Sequence, residues 1–420
     1  MKKSFKALLC LILSILLALP LSPGSFATDP KTAIDGGFTD ADFLVTKGRK
    51  IVNKNGEVIR LKGVNLGAWL IQEDWLCPYE EVSDHYEMLK TLIDRFGVQK
   101  AYELMNTYED NFISAYDLDQ IAAMGFNCVR VPFWYRNFYY DDNGTKILNE
   151  NGDWDFSRLD WVVGECAARR LYVVLDMHGA PGFQSDAAHS GKADSNGLFD
   201  KTPQGERYRE LTDELWTAIA ARFKGNPAVA MYDLLNEPCC DMPVTEIQRR
   251  IYNESIYVRL YNTVRAADPD HIITLECIWT PLALPQVKTH SWTNVVYQVH
   301  FYNNSDFIFA VFLLITRLYH SGIPLMMGEF YPLGRTTWSG CFKTMNNLGF
   351  SWLLWTYKGA GHLMWESDWC LKGSKDGFER AKIKTDTAEE IERKWGEGLR
   401  TENGYTDTGH YENNVEAYID

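Results

Sequence analysis

Short apolar runs of strand type alternate along this chain with stretches of helical periodicity. Eight such runs can be read, at residues 58–65, 127–132, 171–178, 229–237, 271–276, 295–302, 324–329 and 350–357, the first preceded by a hairpin turning at Asn53-Lys54-Asn55-Gly56. The runs are apolar on both faces, the mark of parallel strands covered by helices. Eight strand–helix units in succession predict an α/β fold, a (β/α)8 TIM barrel built as a single catalytic domain with long rim loops. Caps locate some of the helices. Ser157-Arg158-Leu159-Asp160 opens one that leads to Arg170, and Thr387-Ala388-Glu389-Glu390 is a capping box for the last. Insertions at 72–111 and 183–204 read as loops and short helices at one rim. The nine apolar residues 307–315 are too short to span a bilayer and read as a deeply buried helix.

The N-terminus changes the compartment. Lys2, Lys3 and Lys6 precede an apolar core, and Ser25-Phe26-Ala27 supplies small residues at a cleavage site, so 1–27 reads as a signal peptide and the protein as secreted. A single barrel domain at 28–396 and a polar C-terminal tail at 397–420 follow. Losing the three leader lysines takes the formal charge from -14 to -17, which argues against nucleic acid or anionic membrane as partner. Cleavage also removes Cys10 and leaves eight cysteines: Cys77, Cys128, Cys166, Cys239, Cys240, Cys277, Cys341 and Cys370. The even count permits disulfides. No closely spaced His/Cys set suggests a structural zinc.

Candidate chemistry gathers where the apolar runs stop. Arg130 ends the second, His178 the third, Asn236 and Glu237 the fourth, His300 and Tyr302 the sixth, Glu329 the seventh and Trp355 the eighth. Strand C-termini of a barrel share one rim, so these scattered residues are predicted to converge. A carboxylate at the end of a buried strand costs folding free energy, and two of them suggest a pair kept for chemistry. Cleavage of a glycosidic bond with retention uses two carboxyls about 5 Å apart, one nucleophile and one acid/base. Strands four and seven face each other across the barrel mouth. The two roles need different pKa values. Arg130 is expected to lower that of Glu329 by its charge, and Tyr302 to donate a hydrogen bond to the same carboxylate. His300 would support the acid/base glutamate, Asn236 a sugar hydroxyl beside the reacting carbon, and Trp355 the face of a pyranose ring.

Five strings, in order, resemble the signatures of family 5 glycoside hydrolases: Val129-Arg130-Val131-Pro132, Asp176-Met177-His178-Gly179, Asn236-Glu237-Pro238, His300-Phe301-Tyr302 and Gly328-Glu329-Phe330. The resemblance spans roughly 60–358. It implies Glu237 as acid/base and Glu329 as nucleophile, with Arg130, His178, Asn236, His300, Tyr302 and Trp355 at substrate-binding positions. Gly63-Val64-Asn65-Leu66-Gly67-Ala68-Trp69-Leu70 and the segment His178-Gly179-Ala180-Pro181-Gly182-Phe183-Gln184 are similar to the branch containing exo-β-1,3-glucanases and some small bacterial cellulases. Relatives more often carry Gly where Ala68 stands. The segment between Tyr302 and Ile323 is shorter than in many relatives. Cys239-Cys240 directly after the Glu237 motif is unusual, and reads as two thiols in preference to a vicinal or loop disulfide.

Each residue also has a plainer reading. Glu237 alone could be a solvated strand exit, Arg130 a structural ion pair, and His178 a buried histidine with satisfied bonds. Trp134, Trp338 and Trp365 serve packing as readily as sugar stacking. Asp117 and Asp119 read as a solvated helix start. Three functions compete: a retaining β-glucan hydrolase, with transglycosylation as its variant; a barrel that grips glycan without cleaving it; and a metal-dependent hydrolase, which lacks the His-x-His ligand spacing it would need. The first is preferred, with a β-glucan polysaccharide or oligosaccharide as substrate, no cofactor, no metal, and a monomeric state. Linkage and endo or exo action stay open, although the rim insertions would favour a closed pocket and exo attack.

Overall fold

Side chains along each central strand alternate between a narrow interior and a surrounding helical layer, and this alternation builds the site. The structure, a computed structural model, describes residues 37–278, 280–360 and 369–419. Eight parallel strands close into a barrel. They are β1 (Lys62–Asn65), β2 (Cys128–Trp134), β3 (Tyr172–Gly179), β4 (Val229–Asp233), β5 (Ile272–Ile278), β6 (Val295–His300), β7 (Leu325–Glu329) and β8 (Ser351–Leu354). Each pairs with the next, and β8 returns to β1 with Leu354 opposite Val64. The (β/α)8 barrel read from the sequence is the fold.

At the N-terminal end the inward residues are apolar. Cys128, Val174, Met231, Ile272, Val296 and Met326 form one buried cluster with Leu44 and Ile51 of the hairpin Leu44–Lys47 and Lys50–Asn53, which closes that end. Gly63 is the inward residue of β1. A methyl group there would lie 1.9 Å from the Cys128 carbonyl oxygen, so no side chain fits. Further along, the inward residues are Asn65, Arg130, Asp176, Asp233, Glu276 and Gln298, all fully buried. A layer of charge therefore rests directly on the apolar plug. Outward residues such as Val129, Val173, Leu275 and Val299 pack beneath the helices.

Several expectations are corrected. The regular hairpin turns at Gly48, with φ 59°, and the 53–56 turn only links Val52 to Val58 by a single bridge. The 72–111 insertion holds two full helices, α1 (His85–Phe96) and α2 (Val98–Phe112). The apolar run 307–315 lies in α3 (Asp306–Tyr319) and is not deeply buried. Phe309 and Leu313 pack inward, while Phe307, Ile308, Ile315 and Leu318 are exposed. One face meets the barrel and the other meets solvent. Asp117 is buried, accepting from the Tyr357 hydroxyl at 3.1 Å and from Thr401, whereas Asp119 does pair with Arg169 at the surface. Residues read as a polar tail are folded onto the barrel: Tyr405–Asp407 pairs antiparallel with Lys372–Ser374, and Leu399 and Val415 are buried. Buried Lys358 ties them down, donating to the carbonyls of Leu399 and Phe112. Cys239 and Cys240 are both buried free thiols, so Cys239-Cys240 is a pair of thiols. The predicted signal peptide and Trp365 lie outside the described residues. Among the described residues no helix is long and apolar enough to cross a membrane.

Candidate active site

Arg130 organises the buried polar layer. Its guanidinium reaches Asp176 at 3.0 Å, Asp233 at 2.9 Å and Glu329 at 2.7 Å, and donates to the side-chain oxygens of Asn65 and Asn236 at 3.1 and 2.8 Å. Burial works against its charge, but the surrounding carboxylates outweigh that and raise its pKa. Burial also pushes Asp176 and Asp233 up to about 7, against the pull of Arg130. The plainer reading of Arg130 as a structural partner is thus half right, since it braces two strands and also grips Glu329.

Glu237 and Glu329 face each other. Among Glu237, His300 and Glu329, each offers one atom, and these lie within 4.8 Å of one another. Glu329 receives Arg130 on one oxygen and the Tyr302 hydroxyl, at 2.9 Å, on the other. Burial raises its pKa, and Arg130 then opposes that most strongly, so the simple lowering expected from Arg130 is outweighed. Glu237 is held well above its usual value by burial first, then by the charges of Glu329 and Glu73.

The histidine tautomers follow from their partners. Gln298 donates its amide to Asp233 at 2.7 Å and faces His300 Nε2 at 3.3 Å. That leaves the proton on His300 Nδ1, which donates to Glu237 Oε1 at 2.8 Å. Burial keeps this imidazole neutral, with its pKa well below the ordinary value. His178 bonds Asp176 through Nδ1 at 2.7 Å and meets the Asn236 amide at 3.2 Å. Trp355 stacks on His178 with ring centroids 5.5 Å apart. Six of the eight residues singled out from strand ends line one mouth, and Arg130 and His300 lie buried beneath it, bonded to Glu329 and Glu237.

That mouth is a cavity of about 280 Å³, lined by Glu73, Trp75, His189, Cys240, Trp355 and Trp369 together with the two glutamates. Five of these participants lay outside the sequence reading of the site: Glu73, Trp75, His189, Cys240 and Trp369. Glu73 accepts from Trp75 Nε1 at 3.0 Å, and burial pushes its carboxyl up to about 8. A further missed acid is Glu276 beneath the mouth, which accepts the Glu237 backbone N–H and keeps its other oxygen without a hydrogen bond. Glu276 ends the fifth apolar run, so the signal that marked Glu329 was present there too. Trp134, by contrast, is buried in packing and does not line the mouth. The backbone turn after β4 is strained, with Glu237 at φ 39° and Cys239 at φ 64°. Such conformations persist where neighbours over-determine them, and they cluster at functional sites.

A profile of the family described as Cellulase (glycosyl hydrolase family 5) matches residues 93–361. The chain is 29% identical over 263 residues to the beta-xylosidase of Phanerodontia chrysosporium, which covers 62% of this chain and 52% of that protein. It is 30% identical over 271 residues to a probable glucan 1,3-beta-glucosidase A of Aspergillus clavatus, covering 61% and 59% respectively. The chain thus spans a little over half the length of these curated relatives. Rutinosidase from Aspergillus niger shares the fold, with a TM-score of 0.55 at 16% identity over 73% of this chain and 91% of that one.

Proposed function

Because the chain belongs to glycosyl hydrolase family 5, we propose that it is a secreted, retaining glycosidase cleaving β-glucosidic bonds of β-glucans. The observation that carries this is the facing pair of carboxyls, whose oxygens approach within 4.8 Å. That separation suits attack by one carboxylate and leaves no room for a water between the two. Glu329 attacks the anomeric carbon while Glu237 gives its proton to the departing glycosidic oxygen, so a glycosyl ester forms as the bond to the aglycone breaks. Water then attacks the same carbon, Glu237 takes the water's proton, and Glu329 leaves as a carboxylate.

The unequal surroundings support this division of labour. Arg130 and Tyr302 supply donors to Glu329, whereas Glu237 faces further acids that favour its protonated form. His300 fixes the orientation of Glu237, and the second amide hydrogen of Asn236 is available to a sugar hydroxyl. Trp355, Trp75 and Trp369 offer ring faces. Lining of the cavity by rim-loop residues Glu73 and His189 favours attack at chain ends, and release of glucose alone in the first minutes of reaction would bear on that extension.

The test uses a 2-deoxy-2-fluoro-β-glucoside with a good leaving group, which traps a glycosyl-enzyme. Mass spectrometry should find one label, on the peptide containing Glu329. Glu329→Gln should abolish turnover of laminarin, lichenan and carboxymethyl-cellulose with unfolding behaviour retained. Full activity in that variant, or tight glucan binding with no reducing ends released by the wild type, would overturn the reading.

A further inference from the structure

Beside the facing carboxyls, the mouth holds two groups that the proposed reaction does not use, His189 and Cys240. His189 Nε2 lies 3.3 Å from Glu237 Oε2, and Cys240 joins them, one donor atom from each residue lying within 4.8 Å of the others. Imidazole, thiol and carboxylate together form a donor set suited to zinc and its borderline-soft neighbours. We infer that His189, Glu237 and Cys240 form a site for a zinc-class divalent cation, whose occupancy ties up Glu237 and closes the mouth.

The three donors are held in place before any ion arrives. Cys240 and His189 sit on different loops, and those loops are hydrogen-bonded to each other. Asp186 N–H donates to the Cys240 carbonyl at 3.0 Å, and Cys239 N–H donates to the Gln184 carbonyl at 2.8 Å. The Gln184 amide in turn holds the carbonyls of His178 and Asn236, at 2.7 and 2.9 Å. The Cys240 N–H closes a turn onto the Glu237 carbonyl at 3.1 Å. The site is thus rigid on its protein side and open toward the cavity, leaving a fourth position for water. Glu237 keeps Oε2 for this side because His300 occupies Oε1. A second trio, Glu237, His300 and Glu329, is equally close, but Arg130 and Tyr302 already occupy both oxygens of Glu329. It also lacks sulfur, which makes the two sites distinguishable.

Cobalt(II) reports on such a site without any reference to catalysis. Titration of the full-length protein with Co²⁺ should produce a thiolate-to-cobalt charge-transfer band in the near ultraviolet, and added Zn²⁺ should remove it. Cys240→Ser should lose the band, whereas Cys239→Ser, whose sulfur faces Asn253, should keep it. His189→Gln should weaken Co²⁺ binding by more than about tenfold, since losing a direct ligand exceeds the loss of an outer partner. Zn²⁺ should inhibit hydrolysis of an aryl β-glucoside, and a chelator should restore it. A wild type with no charge-transfer band, or a band that survives in a folded Cys240→Ser protein, overturns the site. A normal band accompanied by undiminished hydrolysis would instead count against the catalytic role given to Glu237, on which only the inhibition rests.

Discussion

Replacing Arg130 with methionine keeps much of the side-chain volume and removes one cation facing three carboxyl groups. The arginine is fully buried and lies within 3.0 Å of Asp176, Asp233 and Glu329. Removing one partner of a buried ionic cluster costs about 3–5 kcal/mol, because the remaining charges lose their compensation. Against a total stability of about 5–15 kcal/mol, the variant should fold at 25 °C with a much smaller margin. The loss should depend on pH. Asp176 and Asp233 hold their protons in the folded protein up to about pH 7, against 3.8 as the ordinary value. Between these limits the folded state binds more protons than the unfolded one, so stability from these groups is present at low pH and lost as pH rises through 7. At pH 5 the two aspartic acids are neutral and need little from Arg130; at pH 8 they are ionised and depend on it. Equilibrium urea unfolding at both values should therefore give a loss of about 3–5 kcal/mol at pH 8 and less than half of that at pH 5. A loss below about 1 kcal/mol at pH 8, or equal losses at the two pH values, would refute this account of the layer.

Three further outcomes are expected. Tyr302→Phe removes the hydroxyl that donates to Glu329 at 2.9 Å, so kcat/KM should fall about 10- to 100-fold, the loss of a hydrogen bond to a charged group, while the protein stays folded with a loss of at most about 3 kcal/mol in urea unfolding. Within α3, Phe309→Ala should cost about 3–5 kcal/mol and Leu318→Ala less than about 0.5, because Phe309 is 1% and Leu318 63% exposed; similar losses at both positions would mean that the helix faces another way. Gly63→Ala places a methyl against the Cys128 carbonyl oxygen with no rotamer to relieve it, and should cost about 3 kcal/mol or more in thermal or urea unfolding.

The barrel was legible because a parallel strand buried on both faces leaves an unbroken apolar run, and eight such runs leave few topologies. The strand-end residues were legible for a related reason: Arg130, Glu237 and Glu329 interrupt those runs where a side chain must be either buried at a cost or used. Rim loops carry no such background. Glu73, His189 and Cys240 belong to the mouth only because the loops fold back over it, and no periodicity marks their positions. Asp117 does cap a helix start, on Ser114, but was misread as solvated because its other partners, Tyr357 and Thr401, lie 240 and 284 residues away. The run 307–315 misled for a different reason. A helix apolar all round normally signals burial, yet α3 has only the barrel to cover one side. Its exposed face is set by tertiary context that composition does not encode.

The polar layer also explains how one barrel mouth can hold an acid and a base at once. Arg130 is a single cation among Asp176, Asp233, Glu276, Glu237 and Glu329, and the dry interior cannot hold all five acids ionised. Protons must therefore be distributed among them, and the distribution follows distance from the guanidinium and the charges each acid faces. Glu329 meets two donors, Arg130 and Tyr302. Glu237 meets His300 and Cys240, neither of them a cation, and faces Glu329 and Glu73. Glu276 keeps one oxygen without a hydrogen bond and is pushed well above its ordinary value by burial and by Glu237. Of the two facing glutamates, Glu329 is then held less far above its ordinary value, and Glu237 keeps its proton against a neighbouring negative charge. Under the proposed mechanism that charge vanishes when Glu329 becomes an ester. The largest electrostatic restraint on Glu237 is thereby released at the step where it must act as a base, so the same crowding that costs stability sets the order of proton transfers.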